Sequence, residues 1–205
     1  MFQWASAARV SGPRLPLALT LADYNPSVLY LVTLPNFLLA WALQQGENSS
    51  PALKEAFSLD GELELSPGVI GEFKSFLVSN HITLSFYSGA WSPEFVDLVY
   101  SSSFPPSAQS QSLQSLVVGA ETIYSPFALE SFMETLLAMM RREMQTQPQG
   151  QVAGIVAAKR LYFGVGGSLD VFVDKMRSLG ATVDTLREET EGVRRGVVRC
   201  VLPRD

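Results

Sequence analysis

The sequence predicts an α/β protein, a doubly wound sheet that ends in an antiparallel strand pair. Three observations predict it. Short apolar or β-branched runs alternate with helical patterns from about residue 15 to residue 180. The last two apolar runs, Ala181–Leu186 and Arg195–Leu202, follow each other with only the charged segment Arg187–Arg194 between them, as in an antiparallel pair. Polar clusters fall at four strand ends: Asp23-Tyr24-Asn25, Gly89-Ala90-Trp91, Glu121-Thr122-Ile123-Tyr124 and Tyr162-Phe163-Gly164. Open α/β sheets bind ligands beyond the carboxyl ends of their strands.

Each element has its own signal. Leu15–Ala22 is short, apolar and closed by Asp23-Tyr24-Asn25-Pro26, a buried strand running into a turn. Asn25 or Ser27 caps a helix from Pro26 to about Gln45, and Pro35 is expected to kink or divide it. Thr33, Pro35 and Asn36 interrupt its apolar run, so it reads as a buried helix and not a membrane span. Gly46–Asp60 has no period and reads as a loop. Pro67–Asn80 carries Val69, Ile70, Phe73, Phe76 and Leu77 at helical spacing. Ile82–Tyr87 is β-branched and aromatic at alternate places, a strand.

Ser101–Ser112, rich in serine, proline and glutamine, reads as a surface loop. Leu116–Ala120 is a buried strand and Leu129–Met144 a helix whose Met/Leu stripe belongs to the core. Gln151–Ala158 is the next strand, followed by the glycine-rich turn Arg160–Gly167. Ser168 then caps a helix reaching about Leu179, with Asp170 in its first turn.

Composition sets bounds on function. A chain of 205 residues with 47% hydrophobic and 17% charged residues suits one globular domain over 1–205. The net charge of −5 argues against a nucleic-acid groove built on bulk electrostatics. Residues 1–136 hold 4 basic and 12 acidic side chains, and residues 137–205 hold 11 and 8. The basic third reads as a solvated face. One cysteine, Cys200, and one histidine, His81, exclude a disulfide framework or zinc site within the chain. Cys200 lies in the apolar run Gly196–Leu202 and reads as a core thiol in a reducing compartment. Leu15–Ala22 behind Arg9 and Arg14 imitates a signal peptide but lacks a small-x-small cleavage site.

The residues at the strand ends carry two readings each. Asp23 can accept hydrogen bonds from vicinal ribose hydroxyls, or cap the turn into the following helix. Trp91 can lay its indole over an adenine, or pack as a rim aromatic. Glu121 and Tyr124 can hold an incoming side chain away from water, or act as helix cap and packing tyrosine. Gly164-Val165-Gly166-Gly167 lacks the lysine of a phosphate loop, and serves better as permissive backbone in a tight turn beside a substrate channel.

Taken with Leu31-Val32-Thr33-Leu34-Pro35-Asn36 and Ala158-Lys159-Arg160-Leu161-Tyr162-Phe163-Gly164-Val165-Gly166-Gly167, these strand ends resemble the protein-histidine N-methyltransferases. Those are seven-β-strand, class I enzymes with a Rossmann-like sheet, related to lysine methyltransferases that carry a D/E-x-x-Y motif. The resemblance runs in order from about residue 15 to residue 200. It implies S-adenosylmethionine as cofactor, with Asp23, Tyr24 and Asn25 at the ribose side. Gly89, Ala90 and Trp91 would lie near the adenine, with Ala120 lining the cofactor. Glu121 and Tyr124 would be catalytic, and Tyr162, Phe163 and Gly164 would meet the substrate. The implied substrate is a histidine of a large-ribosomal-subunit protein, methylated by a monomer of cytoplasm and nucleus without direct contact to nucleic acid or membrane.

In that family a strand and a glycine-rich loop precede the Asp-Tyr-Asn strand. Here only Phe2–Val10 precedes it and resembles the tail of the following helix, so the resemblance implies an N-terminally truncated domain. Lysine methylation on the same fold and a non-catalytic binding remnant are the alternatives.

Overall fold

The computed structural model describes residues 16–58, 61–101, 114–162, 164 and 166–204. They divide into two compact units that join in sequence at Ala90 and Trp91. The architecture is mixed α/β.

The first unit opens with strand β1, Leu17–Asp23, where Leu, Ala and Thr alternate. β1 pairs in parallel with β2, Ile82–Ser88, from Leu17↔Ile82 to Asp23↔Ser88. Between them run helices α1 (Pro26–Gln45), α2 (Pro51–Ala56) and α3 (Pro67–Ser79). Their core gathers Leu38, Trp41, Leu53, Val69, Phe73 and Ile82, with the Trp41 ring 5.5 Å from Phe73 and 6.3 Å from Phe76.

Two expectations for this unit are corrected. Pro35 does not divide α1. The helix passes through a π-helical turn at Leu29–Thr33, and Pro35 falls in the first turn of the α-helical stretch that follows. Proline has no N–H to donate and its ring crowds the carbonyl four residues back. The wider turn accommodates that crowding, and Thr33 Oγ1 donates to the Val28 carbonyl at 3.3 Å. The continuous helix is 20 residues long and apolar enough, by length and composition, to span a membrane. It buries Leu29, Leu38, Trp41 and Ala42 while Tyr30, Leu31, Val32 and Leu43 stay exposed, so it is less buried than expected. The second correction lies in 46–60, where α2 replaces part of the expected loop. Ser50 Oγ accepts from the Leu53 N–H at 3.0 Å and Leu53 is fully buried.

The second unit begins with a helix that the sequence did not announce, α4 at Pro93–Ser101. Ser92 Oγ caps it at the Phe95 N–H (3.2 Å), and it buries Phe95, Val96 and Val99. Residues 102–113, which include most of the expected Ser101–Ser112 loop, fall outside the described residues. A four-stranded sheet follows in the order β3-β4-β6-β5, from β3 (Gln114–Ala120), β4 (Gln151–Lys159), β5 (Thr182–Glu189) and β6 (Arg195–Val201). β3 and β4 are parallel, and β6 is antiparallel to both β4 and β5, so the expected terminal pair is present.

Helices α5 (Pro126–Thr146) and α6 (Leu169–Ser178) cover this sheet. Gly119 is what lets α5 lie close: a Cβ there would stand 2.3 Å from Phe132 Cζ. Cys200 is fully buried, and burial with the nearby Asp184 pushes its thiol up to about 11, as a core thiol requires.

Candidate functional site

In the first unit, β1 and β2 end together. The Gly89 N–H donates to the Asp23 carbonyl at 3.3 Å, one rung past the ladder. Asp23 Oδ1 accepts from the Asn25 N–H at 2.8 Å, and Asn25 Oδ1 accepts from the Ser27 N–H at 2.9 Å. These two Asx turns lead the strand into α1, so the capping role of Asp23 is realised. Oδ1 alone meets that need, and Oδ2 has no hydrogen-bond partner among the described residues. Tyr24 is 73% exposed, and Ala90 is also exposed.

In the second unit, Trp91 is half-buried. Its ring meets Phe95 edge-on at 5.3 Å and Phe132 at 5.8 Å. The packing reading of Trp91 is therefore realised at least on those sides of the indole. Ala120 is exposed at the end of β3, and Glu121 follows in the left-handed region with φ 55°. A non-glycine residue held there is uncommon and is sustained by its surroundings. Here the Glu121 N–H donates to the Ala157 carbonyl at 2.8 Å, adding one rung to the β3–β4 ladder.

The Glu121 carboxylate is gripped from two directions. Tyr162 Oη donates to Oε2 at 2.7 Å, and Arg195 Nε donates to Oε1 at 3.4 Å. Burial first, and the Glu121 hydrogen bond second, push the Tyr162 phenol up to about 12. The Tyr162 ring belongs to the core and is 8% exposed, so its hydroxyl is the part that reaches the site. Tyr124 is 55% exposed, with Phe127 beside it more exposed still. Thr122 Oγ1 is buried without a partner among the described residues.

The glycine turn lies directly against this loop. A Cβ at Gly167 would stand 2.2 Å from the Ile123 carbonyl oxygen, so only glycine fits. Gly166 has φ 80° and approaches Pro126, whereas Gly164, with φ 79°, faces open space. Phe163 lies outside the described residues.

The structure thus joins Glu121, Tyr162 and the backbone before Tyr124 in the second unit, and Asp23, Asn25 and Gly89 in the first. Sequence reasoning missed Arg195 and Thr122. The signal for Arg195 was the strand register: Lys159 faces Arg195 across the β4–β6 pair, two residues beyond Ala157, which is level with Ala120.

No protein-family model matches the chain. Curated proteins do match it. Histidine protein methyltransferase 1 of Schizosaccharomyces pombe is 32% identical over 188 residues, covering 90% of this chain and 49% of its own length. The protein of the same name from Saccharomyces cerevisiae is 31% identical over 201 residues, covering 90% of this chain and 49% of its own. Histidine protein methyltransferase 1 homolog of Rattus norvegicus is 30% identical over 176 residues, covering 84% and 40%. The chain is thus similar to histidine protein methyltransferases over 84–90% of its own length. Its mixed α/β fold is compatible with a methyltransferase, and the chain spans about half the length of the curated relatives it matches.

Proposed function

We propose that this chain carries the acceptor-side chemistry of an S-adenosylmethionine-dependent protein-histidine methyltransferase, acting on a histidine of a large-ribosomal-subunit protein. The observation that carries the reading is Glu121: a half-exposed carboxylate on a strained strand end, each oxygen already oriented by one donor and still able to accept another. The names of the relatives favour histidine over lysine as the acceptor.

The cofactor supplies an activated methyl on a sulfonium, so the protein's part is alignment and exclusion of water. The groups present suit such a ligand. Asp23 Oδ2 can take a ribose hydroxyl. In the first unit, Asp23, Tyr24, Asn25, Gly89 and Ala90 are the residues we assign to it.

Imidazole titrates near pH 6.5, so at pH 7 the acceptor is mostly neutral and needs no strong base. Only the ring nitrogen without a proton can attack. A Glu121 oxygen accepting from the other ring N–H fixes the tautomer and presents the bare nitrogen to the methyl. That nitrogen would take the methyl that the bound cofactor supplies, and Glu121 would pass the remaining proton of the resulting methylimidazolium to solvent. Tyr124, exposed beside this position, closes over the incoming ring.

β1 pairs only with β2, and β3 only with β4, among the described residues. Two parallel pairs, each with an open edge, are the basis for reading the fold as the Rossmann-like doubly wound sheet of class I methyltransferases. A buried thiol at Cys200 suits the reducing cytoplasm and nucleus as its place of work.

The test is methyl transfer from isotope-labelled S-adenosylmethionine to large-subunit ribosomal proteins, followed by amino-acid analysis. Methylhistidine supports the reading. Methyllysine moves the chain to the sibling chemistry, and cofactor binding without transfer leaves a binding protein.

A further inference from the structure

We propose that Tyr162 is a positioning residue for Glu121: its buried phenol fixes the carboxylate and thereby decides which imidazole nitrogen is methylated. The inference deepens the function proposed above and rests on it.

The polarity of the contact follows from the partners of one oxygen. Tyr162 Oη accepts from the Lys159 backbone N–H at 3.3 Å and lies 2.7 Å from Glu121 Oε2. With Lys159 occupying its acceptor side, the phenol donates its own proton to the carboxylate. The ring has little freedom to give this up. It is 8% exposed within the core, and Lys159 Nζ lies over its face at 5.4 Å from the centroid. The backbone on either side is tied as well, with the Tyr162 N–H donating to the Gly167 carbonyl at 3.2 Å and the Gly166 N–H donating to the Tyr162 carbonyl at 3.4 Å.

Glu121 is the opposite kind of residue. Its side chain is 46% exposed, and Arg195, its other donor, is 54% exposed and stands at 3.4 Å. A solvent-screened contact between two half-exposed side chains holds orientation weakly. Without Tyr162 the carboxylate would rotate among staggered positions and accept from either ring N–H of a docked histidine. With Tyr162 one oxygen is committed, and the other points along a single direction. The phenol titrates so high that this donor stays protonated throughout the neutral range.

Two measurements test the assignment, one of catalysis and one of the contact. Tyr162→Phe removes only the hydroxyl. It should lower kcat by roughly tenfold to a hundredfold, the scale of one hydrogen bond to a charged group, while KM for a histidine peptide stays within about threefold. The two isomers of methylhistidine, separated by chromatography, should change from one product to a mixture. In a Glu121→Gln background the same substitution should have little further effect. A melting curve identifies any misfolded variant.

Independently of activity, the Tyr162 Cζ resonance, assigned by its absence in Tyr162→Phe, should stay in its neutral position at pH 11, where an ordinary phenol of pKa about 10 is mostly ionised. In Glu121→Gln, with Tyr162 intact, it should ionise at lower pH. Ordinary titration insensitive to Glu121 overturns the contact, even in a protein that methylates nothing. Unchanged kcat and product ratio in folded Tyr162→Phe overturns the positioning role alone. Absence of histidine methylation by the unmodified protein overturns the proposed function, and the resonance still decides the contact.

Discussion

Replacing Gly167 by alanine asks one carbon to occupy space held by a neighbouring backbone. The added Cβ would lie 2.2 Å from the Ile123 carbonyl oxygen, 2.6 Å from Tyr124 C and 2.7 Å from Ser125 N. Ordinary contact begins near 3.4 Å, so the two segments must part by about an ångström. Neither can do so alone: Ile123 is fully buried, and Ser125 is anchored by its cap on the Ala128 N–H at 3.1 Å. Overpacking of this kind costs about 1–3 kcal/mol, with the upper end expected where the obstacle is backbone. For a chain this size the melting temperature should fall by roughly 2–4 °C per kcal/mol. The displaced atoms belong to the stretch between Glu121 and Tyr124, so turnover should drop further than the loss of folded protein explains.

Gly164→Ala is the control. It meets nothing within 4 Å, and its φ of 79° costs a non-glycine residue only about 1–2 kcal/mol. Differential scanning fluorimetry and methyl transfer per folded molecule are the assays. A Gly167→Ala protein that melts and turns over like the unmodified one, or like Gly164→Ala, refutes the argument.

Other substitutions probe the remaining interactions. Glu121→Gln keeps the shape but loses the charge, so turnover should fall more than cofactor affinity measured by calorimetry; a loss of stability with intact turnover would assign Glu121 a structural role. Trp91→Ala should weaken cofactor binding by about 1–3 kcal/mol if the indole covers the adenine. It should also lower the melting temperature, because the Phe95 and Phe132 rings would no longer pack against the indole, and unchanged affinity would reduce Trp91 to packing alone. For Cys200 the folded-state pKa is raised, so its contribution to stability is complete below the unfolded thiol value and is lost as pH rises through about 11. A Cys200→Ala chain should show a flatter loss of stability in that alkaline window, measured by urea titration. Gly119→Ala should destabilise through its 2.3 Å approach to Phe132, and Phe132→Leu in the same chain should recover part of the loss.

Much of this architecture was legible because strands and their endings are local signals. β1, β2, β3 and β4 lie within a few residues of the apolar runs that announced them, and the antiparallel β5–β6 pair was legible from its charged connection. Two helices escaped notice despite a shared mark. Ser50-Pro51 and Ser92-Pro93 begin α2 and α4 as Ser66-Pro67 begins α3: serine caps and proline occupies the first turn. α2 is too short for a period to show, and α4 runs straight into the serine- and proline-rich stretch that begins at Ser101. Of the two expectations for Pro35, division failed because the rule that proline breaks helices assumes a strict α geometry, which the π turn just before it relaxes.

At the site, Glu121 and Tyr124 were visible as a spacing, but the grip on Glu121 was not. Tyr162 is 41 residues away and Arg195 74, and only the pairing of β3, β4 and β6 brings them within reach. The buried ring of Tyr162 was likewise hidden, since a tyrosine after a strand reads equally as core or as rim.

The rung that Glu121 adds to the β3–β4 ladder gives the site a timescale. An amide that belongs to a sheet exchanges with solvent only when the sheet opens, whereas amides of a surface turn exchange through local fluctuation. Glu121 therefore shares the lifetime of the strands, while the exposed Tyr124, three residues on, is free to answer to whatever side chain arrives. The boundary between a slow and a fast element runs through the middle of one short motif. Under the proposed function, the carboxylate that selects the tautomer sits on the slow side, and the aromatic that admits the substrate sits on the fast one.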